Sequence, residues 1–335
     1  DDQSVFYKEN PFWSYLKAGA GVIITLLVFA LFFLVHSVRI GSDYWLSQWF
    51  AKSTGAYADI TNEVFLGVYG GAVVLFTLGI LTRGVVFAIN SIKKSETLHN
   101  KMFKSVIYAK KQFFDTTPIG RIINGFARHQ YAIDAQLSDS LMQLLQYVPL
   151  SLGAVILIMA VMYQTIGVFG GAVIVGAVII FFVGNCEMKL QDRDALTKSA
   201  IFSHLTATLE GLFSIRAYQC ETRFIDLFYD KVDDNQKYLF GVLQVKCWSA
   251  FYLDILVSLV IYATCVCVIE LTNQYPAATS GLVLSNVLQL LVFVQWSVRM
   301  FAEVRDKMAS VKQVSYYGND VPQEAAAIVE KNRPA

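Results

Sequence analysis

The chain has 335 residues, of which 55% are hydrophobic, 14% aromatic and only 16% charged, and its mean hydropathy is +0.48. Soluble domains carry about 25% charged residues, so the composition excludes an ordinary soluble domain, and its apolar content excludes a disordered chain. A formal net charge of +1 provides no field that would gather nucleic acid.

Residues 1–10 are polar, and the apolar run after them is too long for the h-region of a cleavable signal. Six segments are long enough to cross about 30 Å of hydrocarbon at 1.5 Å per residue. They fall at roughly 18–38, 64–88, 141–162, 166–184, 250–270 and 281–304. The fold class expected is therefore an all-α membrane protein with six transmembrane helices. Gly67/Gly71 and Gly167/Gly171 have GxxxG spacing, which permits close helix approach.

The connections differ sharply in charge. Residues 91–140 hold eight lysines and arginines, from Lys93 to Arg128, and residues 186–249 hold eight more, from Lys189 to Lys246. Residues 41–63 have only Lys52, and residues 271–280 carry no charge. Positive loops stay on the cytoplasmic side, so both long connections and both termini are expected there. Tyr44, Trp45 and Trp49 then fall at the outer interface, where aromatic belts form.

The two basic connections are almost free of proline and glycine and keep a helical period, as in Leu196, Ala200, Ser203 and Leu205. They read as membrane helices extended into the cytosol rather than as loose loops. Each is interrupted once. The first break is Phe113–Arg121, with Thr117 expected as an N-cap and Pro118 at the first helical position. The second break is expected near residues 199–205.

The last span carries the sharpest chemistry. Ser285, Gln289, Trp296, Arg299 and Glu303 follow one helical face, with Val292 filling the gap. An arginine at mid-membrane costs roughly 2.5–3.5 kcal/mol on insertion scales, so the stripe is expected to face a wet cavity. A flat indole beside a guanidinium fork suits an amphipathic organic anion. The alternative is an Arg299–Glu303 helix pair with a packing tryptophan. Asp254, Ser258 and Tyr262 form another stripe, for which polar core packing is equally open. Arg83 is either a substrate contact or a structural ion-pair partner, and Arg39 with Asp43 reads as a structural pair near the outer rim.

Other chemistry is missing from the sequence. No GxxxxGK[ST] phosphate loop, Walker B strand or LSGGQ-like segment occurs, so this chain has no catalytic residues for ATP hydrolysis and no cofactor site of its own. The four histidines, His36, His99, His129 and His204, are scattered and suggest no metal site. The five cysteines form no zinc pattern and are odd in number, so they are expected as reduced thiols packed like small apolar groups.

The segment FFDTTPIGRIIN, 113–124, is similar to the FFDTTPxGRIxNRF stretch of ABC exporters of the C subfamily, the multidrug-resistance-associated proteins. IFSHL at 201–205, with Gly211 and IRAY at 215–218, resembles the same family's FSHL…G…IRAF stretch. YLKAGA at 15–20, DYWLSQW at 43–49 and QWSVRM at 295–300 match its first and last spans, in order and over nearly the whole chain. The chain is identified as resembling a second transmembrane domain of the short branch, on SETLHNKMF at 95–103.

The resemblance implies a type IV exporter domain over residues 18–315. An elbow-like segment would precede it at 1–17, and residues 316–335 would be a linker towards a nucleotide-binding domain. In that fold the fourth and fifth helices cross to the opposite half. Coupling helices at 115–121 and 200–206 would rest on nucleotide-binding domains through Phe114, Asp115, Pro118, Arg121, Phe202 and His204. Substrate contacts are implied at Trp296 and Arg299, with Gln295, Gln289, Tyr252 and Arg83 beside them. Tyr252 stands where the family usually has an arginine, which shifts the pocket towards less acidic or more aromatic cargo. Gly125, His129, Ala200 and Lys312-Gln313 also depart from the family and put coupling strength in doubt. The implied function is one half of an ATP-driven exporter in the plasma membrane, working with a second transmembrane domain. ATP and Mg²⁺ would be held by the nucleotide-binding domains. Half of an ATP-gated anion channel, or a non-transporting regulator, are the alternatives.

Overall fold

A computed structural model describes residues 10–19, 21–52, 61–271 and 275–324. The described residues are helical almost throughout, and Ala109 and Gln323 form an isolated antiparallel bridge. Six helices are long and apolar enough to cross a membrane. The chain divides into two compact units, one of Asp1–Val161 with Leu271–Ala335, the other of Met162–Glu270.

The first unit begins with α1 (Pro11–Lys17), where Asn10 caps the helix by accepting from the Phe12 amide at 3.1 Å and Pro11 takes a position that has no amide to satisfy. Next come α2 (Val22–Lys52) and α3 (Asn62–Ile107), then the short α4 (Lys111–Thr116) and α5 (Ile119–Asn124). Two π-helical turns, Gly125–His129 and Ala132–Leu137, lead into α6 (Ser138–Val161). The unit closes with α10 (Ala277–Asn319), which packs along α6, α3 and α2. At 46 residues α3 is about 69 Å long, more than twice the hydrocarbon thickness, so the expected stalk extensions are present.

The buried apolar cluster concentrates in the charged, stalk half. It includes Met102, Ile133, Leu137, Val304, Met308, Val311 and Val314. Water provides the drive for burial there, whereas lipid does not distinguish a packed leucine from an exposed one. Accordingly Leu26, Leu27, Leu75 and Leu81 point outward from the spans.

Helix α1 docks through Tyr15, which is buried against the ammonium of Lys94 at 4.5 Å. Burial pushes the Tyr15 phenol above its ordinary value, so it stays neutral. Gly19, at φ +72°, follows in a left-handed turn, and a Cβ there would lie 2.9 Å from the Lys94 backbone nitrogen.

The second unit is a helical hairpin of α7 (Ile166–Glu210) and α9 (Glu221–Glu270), with the short α8 (Leu212–Ala217) at its turn. Polar clasps join its stalks. Asn235 Nδ2 donates to Asp194 Oδ1 and Thr197 Oγ1, each at 2.9 Å, and Lys246 lies 3.7 Å from Glu187. His204 stacks on Phe224 at 5.9 Å and 9°.

Several expectations are corrected. Helix α2 runs to Lys52, so Tyr44, Trp45 and Trp49 lie on helix and not in a loop. Their aromatic packing continues the helix: Trp49 stacks on Phe65, and Trp45 Nε1 donates to the Phe65 carbonyl at 3.2 Å. The Gly67/Gly71 and Gly167/Gly171 pairs face open space within this chain. Close approach of α2 and α3 comes instead at Gly79, where a Cβ would meet Val35 at 2.8 Å. Pro118 itself occupies the cap of α5, with no side-chain cap bond, and Thr117 ends α4. Residues 199–205 lie inside unbroken α7, because their apolar periodicity never lapses; the chain reverses at Gly211–Cys220 instead. All five cysteines are free, but none is fully buried, because these helices have apolar surroundings outside the chain as well as within it. Residues 1–9 of the expected elbow, 53–60 and 272–274 of the expected outer loops, and 325–335 of the expected linker lie outside the described residues.

Candidate translocation face and coupling surfaces

The stripe on α10 holds together in the first unit. Trp296 stacks on Tyr147 of α6, with centroids 5.7 Å apart and planes 21° from parallel. The exposed Arg299 guanidinium lies 5.5 Å from the Trp296 ring. Arg299 forms no ion pair with Glu303, so its charge is carried on an aromatic face rather than cancelled. Gln295 is half-buried beside Trp296.

About two turns from Trp296 along α10, Gln289 accepts from Arg39 Nη2 at 3.0 Å, and the same guanidinium sits 5.8 Å from the Phe293 ring. Arg39 was expected to pair with Asp43; its charge does act on the Asp43 carboxyl, while its Nη2 donates across to the neutral amide of Gln289 on α10. This adds a second guanidinium to the stripe. The only hint in the sequence was an arginine among apolar residues, with no sign of its direction.

Arg83 is brought elsewhere. It is 5% exposed, with Nη1 2.6 Å from His36 Nε2 and its guanidinium carbon 4.7 Å from the Phe32 ring. A guanidinium only donates, so Nε2 accepts and the His36 proton resides on Nδ1, which is buried without a partner. Arg83 therefore joins α2 to α3, and neither an acidic partner nor an open face is among its contacts. Tyr252 belongs to the second unit. It is exposed on α9, edge-on to Trp248 and Phe251 at 6.0 Å each.

The first stalk tip splits its two phenylalanines. Phe113 is buried against Tyr317 at 6.4 Å, while Phe114 is exposed together with Asp115, Pro118 and Arg121. Ile119 and Ile123 extend this exposed apolar surface. The segment leaving α10 is fastened to the same tip: Lys110 N donates to the Pro322 carbonyl at 3.0 Å, and Glu324 N to that of Tyr108 at 2.8 Å.

At the second tip, Phe202 is exposed on the side of α7, and His204 faces inward to Phe224 and Phe228. The residues at the reversal itself were missed from sequence. Phe213 is 88% and Tyr218 80% exposed, and Gln219 has φ 52°. Gly211 and the polar Gln219-Cys220 step ahead of an acidic helix start were the available signals.

Sequence reasoning also missed a groove of about 590 Å³ between α3 and residues 130–142. Gly84, Phe87, Ile92 and Met142 contribute its apolar lining, and Glu96, His99, Gln130, Asp134 and Asp139 its polar lining.

Residues 25–297 match the family model described as ABC transporter transmembrane region. The chain belongs to that family. It is 31% identical over 97% of its length to "ABC transporter C family member 3" of Dictyostelium discoideum, covering 23% of that protein. It is 30% identical over 96% of its length to "ATP-binding cassette sub-family C member 4" of Homo sapiens, covering 25% of it. With "ATP-binding cassette sub-family C member 2" of Mus musculus it shares 29% identity over 93% of the chain and 20% of the relative. This ABC transmembrane region is thus of the C subfamily, an integral membrane domain that spans about a quarter of the length of the curated relatives it matches. Domains of this kind generally pair with nucleotide-binding domains.

Proposed function

We propose that this transmembrane region is one half of an ATP-driven exporter of amphipathic organic anions that works by alternating access. ATP is hydrolysed on partner nucleotide-binding domains, where Mg²⁺ is also held, and a second transmembrane domain completes the path. The C-subfamily relatives, named for an ATP-binding cassette, support the energy source. The observation that carries the cargo class is Arg299 over Trp296 over Tyr147. An organic anion slides its apolar part along the indole and meets the guanidinium fork with its carboxylate or sulfonate. Arg39, through Gln289, adds positive potential one step along the stripe, and Gln295 offers an amide. Tyr252 contributes a phenol where the wider family has an arginine, which favours aromatic cargo over highly acidic cargo.

The basic stalks are assigned to the cytosol by their charge, and the plasma membrane is assigned from the resemblance to exporters alone. Coupling to the nucleotide-binding domains is assigned to Phe114, Asp115, Pro118 and Arg121 at the first tip. At the second it is assigned to Phe213 and Tyr218 around the reversal, with Phe202 at its flank. His204 acts behind that surface by locking α7 to α9, so that a push at the tip moves both helices. Closing the two halves and reopening them outward moves rigid bundles about a midplane site.

The test is ATP-dependent uptake of a fluorescent sulfonated dye into inside-out vesicles holding the complete transporter. Loss of a charged hydrogen bond of about 1.5–3 kcal/mol lowers uptake at limiting dye about 10- to 150-fold in Arg299→Ala. Unchanged uptake at equal expression would overturn the assigned pocket.

A further inference from the structure

We propose that the groove between α3 and the start of α6 is a second binding site, for an amphipathic amine. The site is separate from the Arg299 stripe and opposite to it in charge. Its ligand's ammonium is held by Glu96, Asp134 and Asp139, and its hydrocarbon tail lies along Phe87, Ile92 and Met142.

Size is the first argument. At about 590 Å³ the groove falls within the 300–1,000 Å³ of small-molecule pockets. Its lining is sorted along its length. Phe87 and Ile92 stand at the stalk end of the second span, at the edge of the hydrocarbon. Glu96 lies eight residues past Ala88, about 12 Å further along α3. A molecule lying in the groove thus has one end in acyl chains and the other in the polar layer, which suits an amphiphile. This placement rests on the proposed membrane position of α3, and not on the cargo of the stripe.

The polar end has one sign. Glu96, Asp134 and His99 lie there, the third carboxylate, Asp139, lies towards Met142, and among the described residues no lysine or arginine lines the groove. The carboxylates are only partly used within the protein. Asp134 Oδ1 accepts from Gln130 Nε2 at 2.8 Å and from Ser95 Oγ, which leaves Oδ2 open. Asp139 Oδ2 accepts from Gln143 at 2.9 Å, which leaves Oδ1 open.

A further observation points to a missing donor. Gln130 is 5% exposed and lines the groove, yet its Oε1 is buried with no hydrogen-bond partner. A buried unpaired amide oxygen costs about 1–3 kcal/mol. Its Nε2 is fixed by Asp134 and Ser95, so the amide cannot simply turn over. A primary ammonium brings three donors and no acceptor, enough for Gln130 Oε1 and two carboxylates. Gln130, Asp134 and Ser138 are spaced i, i+4, i+8 and so share the groove face, and the π-helical turn Ala132–Leu137 lies among them. Such turns occur frequently at functional sites.

Two sources offer this chemistry: a soluble alkylamine, and the ammonium of a phosphatidylethanolamine headgroup. The experiment uses the complete transporter in lipid nanodiscs. A dodecylamine carrying a diazirine on its chain is photolysed, and labelled peptides are mapped by mass spectrometry against dodecylsulfonate and dodecanol analogues. The amine is expected to label residues 84–142 about tenfold more than either analogue, equivalent to 1.4 kcal/mol of preference. Glu96→Gln with Asp139→Asn removes that preference. Gly84→Phe, at a position where an added Cβ meets nothing within 4 Å, lowers labelling by all three probes by filling the apolar end. Competition by phosphatidylethanolamine in the disc identifies a lipid occupant, and competition by octylamine alone a soluble one; either result upholds the amine site. Equal labelling by amine and sulfonate, or amine labelling that survives both variants, overturns it. Dye uptake in vesicles is read separately, so failure of anion export and failure of this site are told apart.

Discussion

The Arg83–His36 contact makes a quantitative prediction, because the two partners are not equivalent. Arg83 is a buried cation whose close partners among the described residues are one imidazole nitrogen at 2.6 Å and one phenyl face at 4.7 Å. In His36→Leu the cation keeps Phe32 alone. Stripping a partner from a buried charge costs about 3–5 kcal/mol. In Arg83→Met the stem volume is largely kept and the cost of burying a charge disappears. What remains is a stranded His36 Nε2, worth about 1–3 kcal/mol. The double variant Arg83→Met/His36→Leu removes both problems, so it is expected to be more stable than His36→Leu by about 2 kcal/mol; since Arg83→Met alone costs about 2 kcal/mol, the coupling energy is about 4 kcal/mol. Neutral interhelical hydrogen bonds in membranes average about 0.6 kcal/mol in such cycles; the charge is what raises this one. Each variant of the complete transporter would be heated in detergent and its remaining monodisperse fraction measured. The order of apparent midpoints should be wild type, then Arg83→Met, with His36→Leu lowest. Additive losses, or Arg83→Met as the weakest variant, would refute the reasoning.

Gly79→Leu drives a side chain into Val35, whose Cγ2 is already 2.8 Å from the position of a Cβ. It should cost about 1–3 kcal/mol and lower the same midpoint, whereas Gly67→Ala, with open space around it, should leave it unchanged. Phe213→Ala removes a side chain that is almost wholly exposed, so folded yield should hold while cargo-stimulated ATP hydrolysis falls. Phe202→Ala, on the flank of α7, should have a smaller effect on hydrolysis than Phe213→Ala, and the reverse order would restore the tip to residues 200–206.

Six spans, long stalks and the α10 stripe were legible because each rests on a local property: length of apolar run, helical period and spacing along one face. Trp296 and Arg299 are three residues apart on one helix, so their proximity needed no tertiary information. Partners on other helices were not legible. Nothing in the residues around Arg39 distinguishes Asp43, four positions away, from Gln289, 250 positions away. Arg83 with His36 was hidden for the same reason, since a histidine can accept from a guanidinium only in the right tautomer and direction. The second stalk break lies later than the expected residues 199–205, because the helical period there is unbroken and Gly211 ends the helix. The groove combines α3 with a π-helical register that has no sequence signature of its own.

The central claim is that the α10 stripe faces water. Single cysteines at Ser285, Gln289, Val292, Trp296 and Arg299, and at the buried Val287, Leu290 and Met300 as controls, would be introduced into the complete transporter after replacing Cys186, Cys220, Cys247, Cys265 and Cys267. Reaction with a membrane-impermeant charged thiol reagent in inside-out vesicles should be fast at the stripe positions, slow at the controls, and slowed at Trp296 and Arg299 by the dye. Equal reactivity around the helix, or a stripe that stays unmodified while its neighbours react, would contradict the account.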